Sequence, residues 1–403
     1  MSMNYIRKQY HTLKARIEEP RRFLQVLVGP RQVGKTTLVH QVVQAISLPH
    51  TVEVADAVDP KDSDWIRRVW ESARTTMRLR GESERLLVID EVQKIDNWSE
   101  VVKREWDEDT RHGVNLKVVL LGSSRLLIKK GLTESLAGRF ELIRLGHWSY
   151  QEMKDAFGLS LDEYIYFGGY PGAATLIKDE KRWRKYIKDA LVAPAIEKDV
   201  LMTSNIYKPA LMKQLFELGC GYSAEMLSLT KLMGQLQDAG NVTTLASYLE
   251  ILDQCALLTG LQKYANDEAR KRSSIPKYQV YNNALFTAYK GRSFEMDRTD
   301  ARLWGRWVES AVGAHLLAMA DEAGFEVYYW READSSKKTH EVDFILVNNG
   351  EVIAIEVKSG RRTMNSGLPA FVEMFHPKNS FVVGSGGISL EDFLSTDIKV
   401  LFE

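Results

Sequence analysis

Gly29-Pro30-Arg31-Gln32-Val33-Gly34-Lys35-Thr36 is a complete G-x-x-x-x-G-K-[ST] phosphate-binding loop. The apolar run from Phe23 to Val28 precedes it, and Thr37-Leu38-Val39-His40-Gln41-Val42-Val43 follows. The order is strand, glycine loop, helix, which is the context the motif needs. Gly29 and Gly34 let the backbone bend so that its N–H groups point at phosphate oxygens. The helix beginning near Lys35 adds the positive end of its dipole. Lys35 is expected to reach the β/γ-phosphates and Thr36 to offer its hydroxyl to Mg²⁺, with Gly29 through Thr37 forming the cradle. A glycine turn entering an ordinary helix is the bland alternative; all four fixed positions in the right context argue against it.

Leu86-Leu87-Val88-Ile89-Asp90-Glu91 supports the same reading. Four branched apolar residues in a row predict a buried parallel strand. Asp90 at its carboxyl end is expected beside the phosphate loop, holding Mg²⁺. Glu91 is the expected general base that polarises the attacking water. ATP hydrolysis is the expected reaction.

A chain of 403 residues predicts two to four domains with ample buried cores. Lys plus Arg and Asp plus Glu are both 54, so any basic surface for nucleic acid has to be local. The two cysteines, Cys220 and Cys255, lack metal-ligand spacing, which sets aside a zinc site or disulfide framework and fits a cytoplasmic setting. The first residues lack the apolar core of a signal peptide, and no apolar run approaches membrane-spanning length.

Outward from the loop, Tyr5 to Glu19 reads as a basic amphipathic helix, either packed over the adenine or solvated. Thr51 to Asp56 predicts a strand, Trp65 to Arg80 a helix, Trp98 to Asp109 another, and Leu116 to Gly122 a fourth strand. Alternating strands and helices predict a parallel, doubly wound sheet. Ser123 and Ser124 follow that fourth strand, where ligands bind in open α/β sheets. They can sense the γ-phosphate or orient the water; a helix N-cap is the equal alternative. Arg139, in Leu136-Ala137-Gly138-Arg139, can reach a neighbouring subunit's γ-phosphate as an arginine finger, or be a plain surface arginine.

These motifs together, with Ile89-Asp90-Glu91-Val92-Gln93 and the later Phe167-Gly168-Gly169-Tyr170-Pro171-Gly172, resemble the prokaryotic AAA-type ATPases that carry a DUF4143 C-terminal region. The resemblance covers nearly the whole chain. It implies an α/β fold with a P-loop AAA+ core over 1–148 and a helical lid over 149–205. A winged-helix-like domain over 206–290 and a restriction-endonuclease-like α/β domain over 291–403 follow. It favours Arg139 as the finger and Ser123 or Ser124 as the γ-phosphate sensor, in a homo-oligomer. It supplies no pathway.

The middle of the chain is read independently of that resemblance. Tyr150 to Leu201 is helical in pattern and suits a lid. Helices are expected at Pro209 to Gly219, Ser223 to Gln237 and Thr244 to Ala256. Leu257 to Tyr264 and Lys277 to Tyr281 are expected to pair as a wing. The third helix is poor in basic residues, so DNA contact falls to the connection Ala269 to Ser274, with an ordinary solvated loop or a winged domain used only for protein contacts as the alternatives.

Near the end, Asp343 lies in His340 to Val347, Asn348-Asn349-Gly350 is a hairpin signal, and Glu356 and Lys358 lie in the returning strand. The order resembles the PD-(D/E)xK nuclease core. Glu356 and Lys358 are two apart and share a sheet face. Asp343 and Glu356 are expected to hold Mg²⁺. Lys358 would activate water or stabilise phosphate charge, and Glu309 on a preceding helix would be a further ligand. A charged edge on a solvated hairpin is the alternative. The leading expectation is an ATPase that couples ATP and Mg²⁺ chemistry to DNA binding and processing. The alternatives are an ATP-gated regulatory or scaffold protein whose nuclease-like domain binds without cutting, and a motor acting on protein or RNA.

Overall fold

The computed structural model describes residues 5–122, 135–200, 206–237, 240–265, 267, 274–333, 337–360 and 367–402 of the 403. The chain divides into two compact units, 1–145 and 146–403.

The first unit runs α1 (Gln9–Glu18), β1 (Leu24–Val28), α2 (Lys35–Ala45), β2 (His50–Val54), α3 (Asp64–Arg80), β3 (Arg85–Asp90), α4 (Trp98–His112), β4 (Leu116–Gly122) and β5 (Phe140–Arg144). The five strands are all parallel, in the order β2-β3-β4-β1-β5. Every residue of β1, β3 and β4 is buried, whereas the edge strands β2 and β5 are mostly not. Helices covering both faces of a parallel sheet explain the uninterrupted apolar runs of its centre.

On one face α3 and α4 pack Trp70, Trp98 and Trp106 against Leu87, Ile89 and Leu120. That interface encloses a polar cluster. Arg74 of α3 donates to Glu105 at 2.7 Å and to Asp109 at 2.7 Å, and Trp70 donates to Asp109 at 2.7 Å. α4 runs past Asp109 and stops at Gly113, whose φ of 66° is the left-handed conformation glycine adopts without strain.

In the second unit the Phe167 to Gly172 segment is a packing hub. The Gly169 N–H and the Ala284 N–H both donate to Asn282 Oδ1. A β-carbon on Gly168 would lie 2.1 Å from that same oxygen, so only glycine lets the turn approach so closely. Asn283 donates to the carbonyl of Ile165 at 2.6 Å and Thr287 to that of Tyr166. The short helix at Leu161–Phe167 is therefore tied to the Asn283–Lys290 helix.

The helix expected over Ser223 to Gln237 is absent. In its place stand the two-residue strand β6 (Glu225–Met226) and a short helix, Leu229–Met233. Ser223 is fully buried, its hydroxyl shared with Ser310 at 2.7 Å and accepting from the Val280 N–H. Ala224 takes a φ of 62°, which breaks any helix at this point. The flanking helices Pro209–Gly221 and Val242–Gln254 are present. β7 (Leu258–Leu261) pairs antiparallel with β8 (Lys277–Val280), giving the sheet order β6-β8-β7. Residues 269–273 of the expected basic connection lie outside the described residues.

A second sheet, in the order β12-β11-β10-β9, comprises β9 (Glu326–Ala333), β10 (Thr339–Asn348), β11 (Glu351–Lys358) and β12 (Asn379–Gly384). The β10–β11 turn has Asn349 at φ 49° and Gly350 at φ 85°, the double positive φ of the tightest hairpin turn. The Ala301–Ala323 helix runs before this sheet and carries Glu309.

Candidate functional site

The parallel sheet sets the nucleotide pocket. All five carboxyl ends lie on one edge, and β4 sits between β1 and β3. The loop after β1 and the carboxylates ending β3 therefore face one another across β4. Gly29 leaves β1 with Leu145 packed on it, and a β-carbon there would lie 2.2 Å from the Leu145 carbonyl oxygen. Gly34 has φ 94° with nothing within 4 Å of the added carbon, so its requirement is purely conformational. Gln32 also takes a positive φ, 59°. Alternating hand along such a loop turns successive N–H groups to one side, making an anion cradle.

The functional side chains converge on this edge. Thr36 donates its hydroxyl to Asp90 Oδ2 at 2.7 Å, and Asp90 Oδ1 accepts from the Glu91 N–H at 2.8 Å. Lys35 Nζ donates to the carbonyls of Gly29 and Pro30 at 2.9 and 2.8 Å. Its side chain is thus curled back over the loop that carries it. Glu91 sits at φ 55° and accepts from Gln93 Nε2 at 2.6 Å. Thr36 and Asp90 present hard oxygens to one point, which fits Mg²⁺ held through few protein ligands.

Arg7, which motif spacing does not mark, donates to the Val33 carbonyl at 3.2 Å from just before α1. The Tyr5 carbonyl accepts from Gln41 of α2 at 3.0 Å. The lead-in segment thus braces the phosphate loop and its helix; α1 itself begins at Gln9 rather than Tyr5.

Arg139 lies elsewhere. It precedes β5, at the amino-terminal edge of the sheet, and the Leu24 N–H donates to its carbonyl. The five-residue strand β1 separates that edge from the phosphate loop, about 16 Å at the usual rise. Its guanidinium grips Asp107 with two bonds of 2.7 and 3.0 Å. The hydrogen bonds from Arg139 hold the Asp107 carboxyl below its usual range. Arg139 is therefore remote from its own chain's phosphate loop. Ser123 and Ser124 lie outside the described residues.

In the second unit a bulge in β10, between Val342 and Ile345, re-aims Asp343. The β10–β11 ladder stops at Phe344 and Ile355, and Asp343 Oδ2 accepts from the Val357 N–H at 2.7 Å. Glu356 and Lys358 lie on one face, Lys358 Nζ 3.4 Å from Glu356 Oε1. Glu356 Oε2 is buried and has no hydrogen-bond partner. Burial first, and then the charge of Asp343, push its carboxyl up to about 8. A divalent cation shared by Asp343 and Glu356 fits this orphaned oxygen.

Glu309 is turned to another partner. Its Oε1 lies 2.5 Å from Nζ of Lys277, the first residue of β8. The same ammonium is 3.6 Å from Asp343 Oδ1 and 3.9 Å from Glu341 Oε1. Burial alone would lower the Lys277 pKa; Glu309, Asp343 and Glu341 outweigh it and hold the ammonium charged. Burial pushes Glu309 up to about 7, with Lys277 opposing and Asp343 adding. Among the described residues no three His, Cys, Asp or Glu side chains are placed to hold a metal together. The expected three-carboxylate set is thus two carboxylates plus a Glu309–Lys277 ion pair. Lys277 and Glu341 carry no motif that announces them in the sequence.

Three family models match along the chain. Residues 21–154 match the family model of an AAA domain, and residues 304–394 match a domain of unknown function, DUF4143. Residues 158–295 match another domain of unknown function, DUF8612. An uncharacterized protein of Mycobacterium tuberculosis is 28% identical over 351 residues, 85% of this chain and 73% of that one. One from Methanocaldococcus jannaschii is 24% identical over 355 residues, 82% and 74% of the two chains. Among solved structures, a Walker-type ATPase of Pyrococcus abyssi aligns with 70% of this chain and 94% of its own, at 14% identity and a TM-score of 0.49. No helix among the described residues is long and apolar enough to cross a membrane.

Proposed function

We propose that this chain, an AAA-type P-loop domain followed by a DUF4143 region, hydrolyses ATP in its first unit and uses the turnover to engage DNA through its second. The observation that carries the ATPase reading is the Thr36–Asp90 hydrogen bond, 2.7 Å long, which joins the phosphate loop to the end of β3. The bound Mg²⁺ would polarise the γ-phosphate and neutralise charge on it. Lys35 leaves the Gly29 and Pro30 carbonyls to pair with phosphate oxygens. The loop N–H groups hold the β-phosphate. Glu91, released from Gln93, takes the proton of the attacking water. The distance of Arg139 from its own pocket favours a finger offered to a neighbouring copy, after its pair with Asp107 breaks.

In the second unit, Asp343 and Glu356 would hold one Mg²⁺ and Lys358 would meet a phosphodiester oxygen. Hard oxygen ligands beside a lysine suit DNA backbone chemistry. One observation favours a second reading, an ATP-gated regulatory protein whose module binds without cutting: Glu309 is committed to Lys277. ATP turnover measured with duplex, single-stranded and branched DNA tests the proposal. Stimulation by DNA, with any cleavage lost in Asp343→Ala, supports the first reading. Nucleotide-dependent assembly with no effect of DNA supports the second.

A further inference from the structure

We propose that the Lys277 ammonium is a built-in cation filling one of two adjacent cation positions in the C-terminal module, so that only the Asp343–Glu356 position exchanges a metal ion. The second half of that statement rests on the cation-site reading given above; the first half does not.

Four carboxylates gather here, Glu309, Glu341, Asp343 and Glu356, and they divide into two groups by their partners. Glu309, Glu341 and the inner oxygen of Asp343 all face Nζ of Lys277, at 2.5, 3.9 and 3.6 Å. The Asp343 carbonyl adds an acceptor at 3.3 Å, and the Phe344 ring lies 5.0 Å away. Glu356 belongs to the other group. It touches Lys358 through Oε1, while its Oε2 is buried with no partner.

Lys277 cannot step aside for a metal. Its side chain is 1% exposed, and it enters from β8, whose four residues are all buried. An ammonium has three donors and no acceptor, and the carboxylate and carbonyl oxygens around it supply acceptors for them. A divalent ion bonded to the same Glu309 oxygen would sit within about 5 Å of the ammonium. Because the ammonium itself is buried, that repulsion is large. Withdrawing the ammonium instead would leave the partly buried Glu309 carboxylate without its close cation. The lysine thus supplies a fixed charge from the protein itself. It neutralises part of Asp343 and ties β8 to β10 and to the Ala301–Ala323 helix.

The test counts bound Mn²⁺ per chain by electron paramagnetic resonance. It uses the full chain carrying Lys35→Ala, without nucleotide, so that the phosphate loop holds no metal. The parent is expected to bind one Mn²⁺, lost in Glu356→Gln. Glu309→Gln should keep it with affinity unchanged to within about twofold, because Glu309 is not a ligand. Lys277→Gln, which exposes Glu309, Glu341 and Asp343 to one another, should gain an additional Mn²⁺. That gain should vanish in Lys277→Gln combined with Glu309→Gln. Mn²⁺ binding weakened about tenfold or more by Glu309→Gln overturns the proposal. So does a folded Lys277→Gln chain with no added Mn²⁺. A parent that binds none while Lys277→Gln binds one sustains the ammonium and overturns the Asp343–Glu356 metal reading. If Lys277→Gln fails to fold, parent crystals soaked in Mn²⁺ decide. Anomalous density against Glu309 overturns the proposal, and Lys277 Nζ in that place sustains it.

Discussion

Thr36 and Asp90, 54 positions apart, are joined by a 2.7 Å hydrogen bond from the threonine hydroxyl to the carboxylate. Strand β4 makes this possible by holding β1 and β3 in parallel on either side of it. One contact therefore reports that the phosphate loop and the acidic end of β3 belong to one pocket.

Lys35→Ala should abolish nucleotide binding, because it removes the cation that meets the β/γ-phosphates. Glu91→Gln should keep binding and slow turnover by about a hundredfold or more, since only proton transfer is lost. Binding of a fluorescent ATP analogue and phosphate release, measured together, separate the two. Equal turnover by Glu91→Gln and the parent would remove Glu91 from the role of base.

Arg139→Ala should bind ATP normally and lose turnover by about a thousandfold. Mixed oligomers of Arg139→Ala and Lys35→Ala should recover part of the activity, one supplying an intact pocket and the other an intact finger. No recovery in verified mixed oligomers would count against a finger acting between copies.

DNA cleavage, where present, should vanish in Asp343→Ala and in Lys358→Ala while ATP turnover survives, because the two sites lie in different units. Cleavage that persists in both variants would place the nuclease elsewhere.

Arg74→Leu should destabilise the first unit by about 3–5 kcal/mol. Arg74 holds Glu105 and Asp109, which are only 5% and 1% exposed; its loss leaves buried Asp109 without its ion-pair partner and Glu105 with only the more distant Arg104. Urea unfolding followed by tryptophan fluorescence reads this directly, since Trp70 also donates to Asp109. A loss under about 1 kcal/mol would mean that the cluster relaxes into water.

Glu309 gives the second unit a pH dependence. Its folded pKa, about 7, lies above its ordinary value of 4.5, so the folded state holds the extra proton. Its contribution is complete below about pH 4.5 and is lost as pH rises through about 7. Metal-free protein should lose stability between pH 5 and pH 8 from this group. Urea midpoints should show a flatter profile in Glu309→Gln. An identical slope in both proteins would assign the effect to other groups.

What the sequence by itself determined was local. The phosphate loop needs glycine at 34, where φ is positive, and at 29, where Leu145 leaves no room for a β-carbon, with a lysine and threonine at set offsets. Those needs are met within eight consecutive residues, Gly29 to Thr36. The buried strands β3 and β4 declare themselves as short apolar runs, and Asn348-Asn349-Gly350 declares a turn, for the same reason. The helix expected over Ser223 to Gln237 shows the limit of that logic. Its pattern is helical, but two buried hydrogen bonds override it: the Ser223 hydroxyl is shared with Ser310 and accepts from the Val280 N–H. Tertiary structure alone decided the partners of the charged groups. Nothing near Arg139 in sequence foretells Asp107, and nothing in the Lys277 strand foretells Glu309. A buried charge takes whichever opposite charge the fold brings within reach, because leaving it unpaired in low dielectric costs more than any local preference supplies. Glu309 therefore reads as a metal ligand by its place in the chain and stands as the partner of an ammonium in the fold.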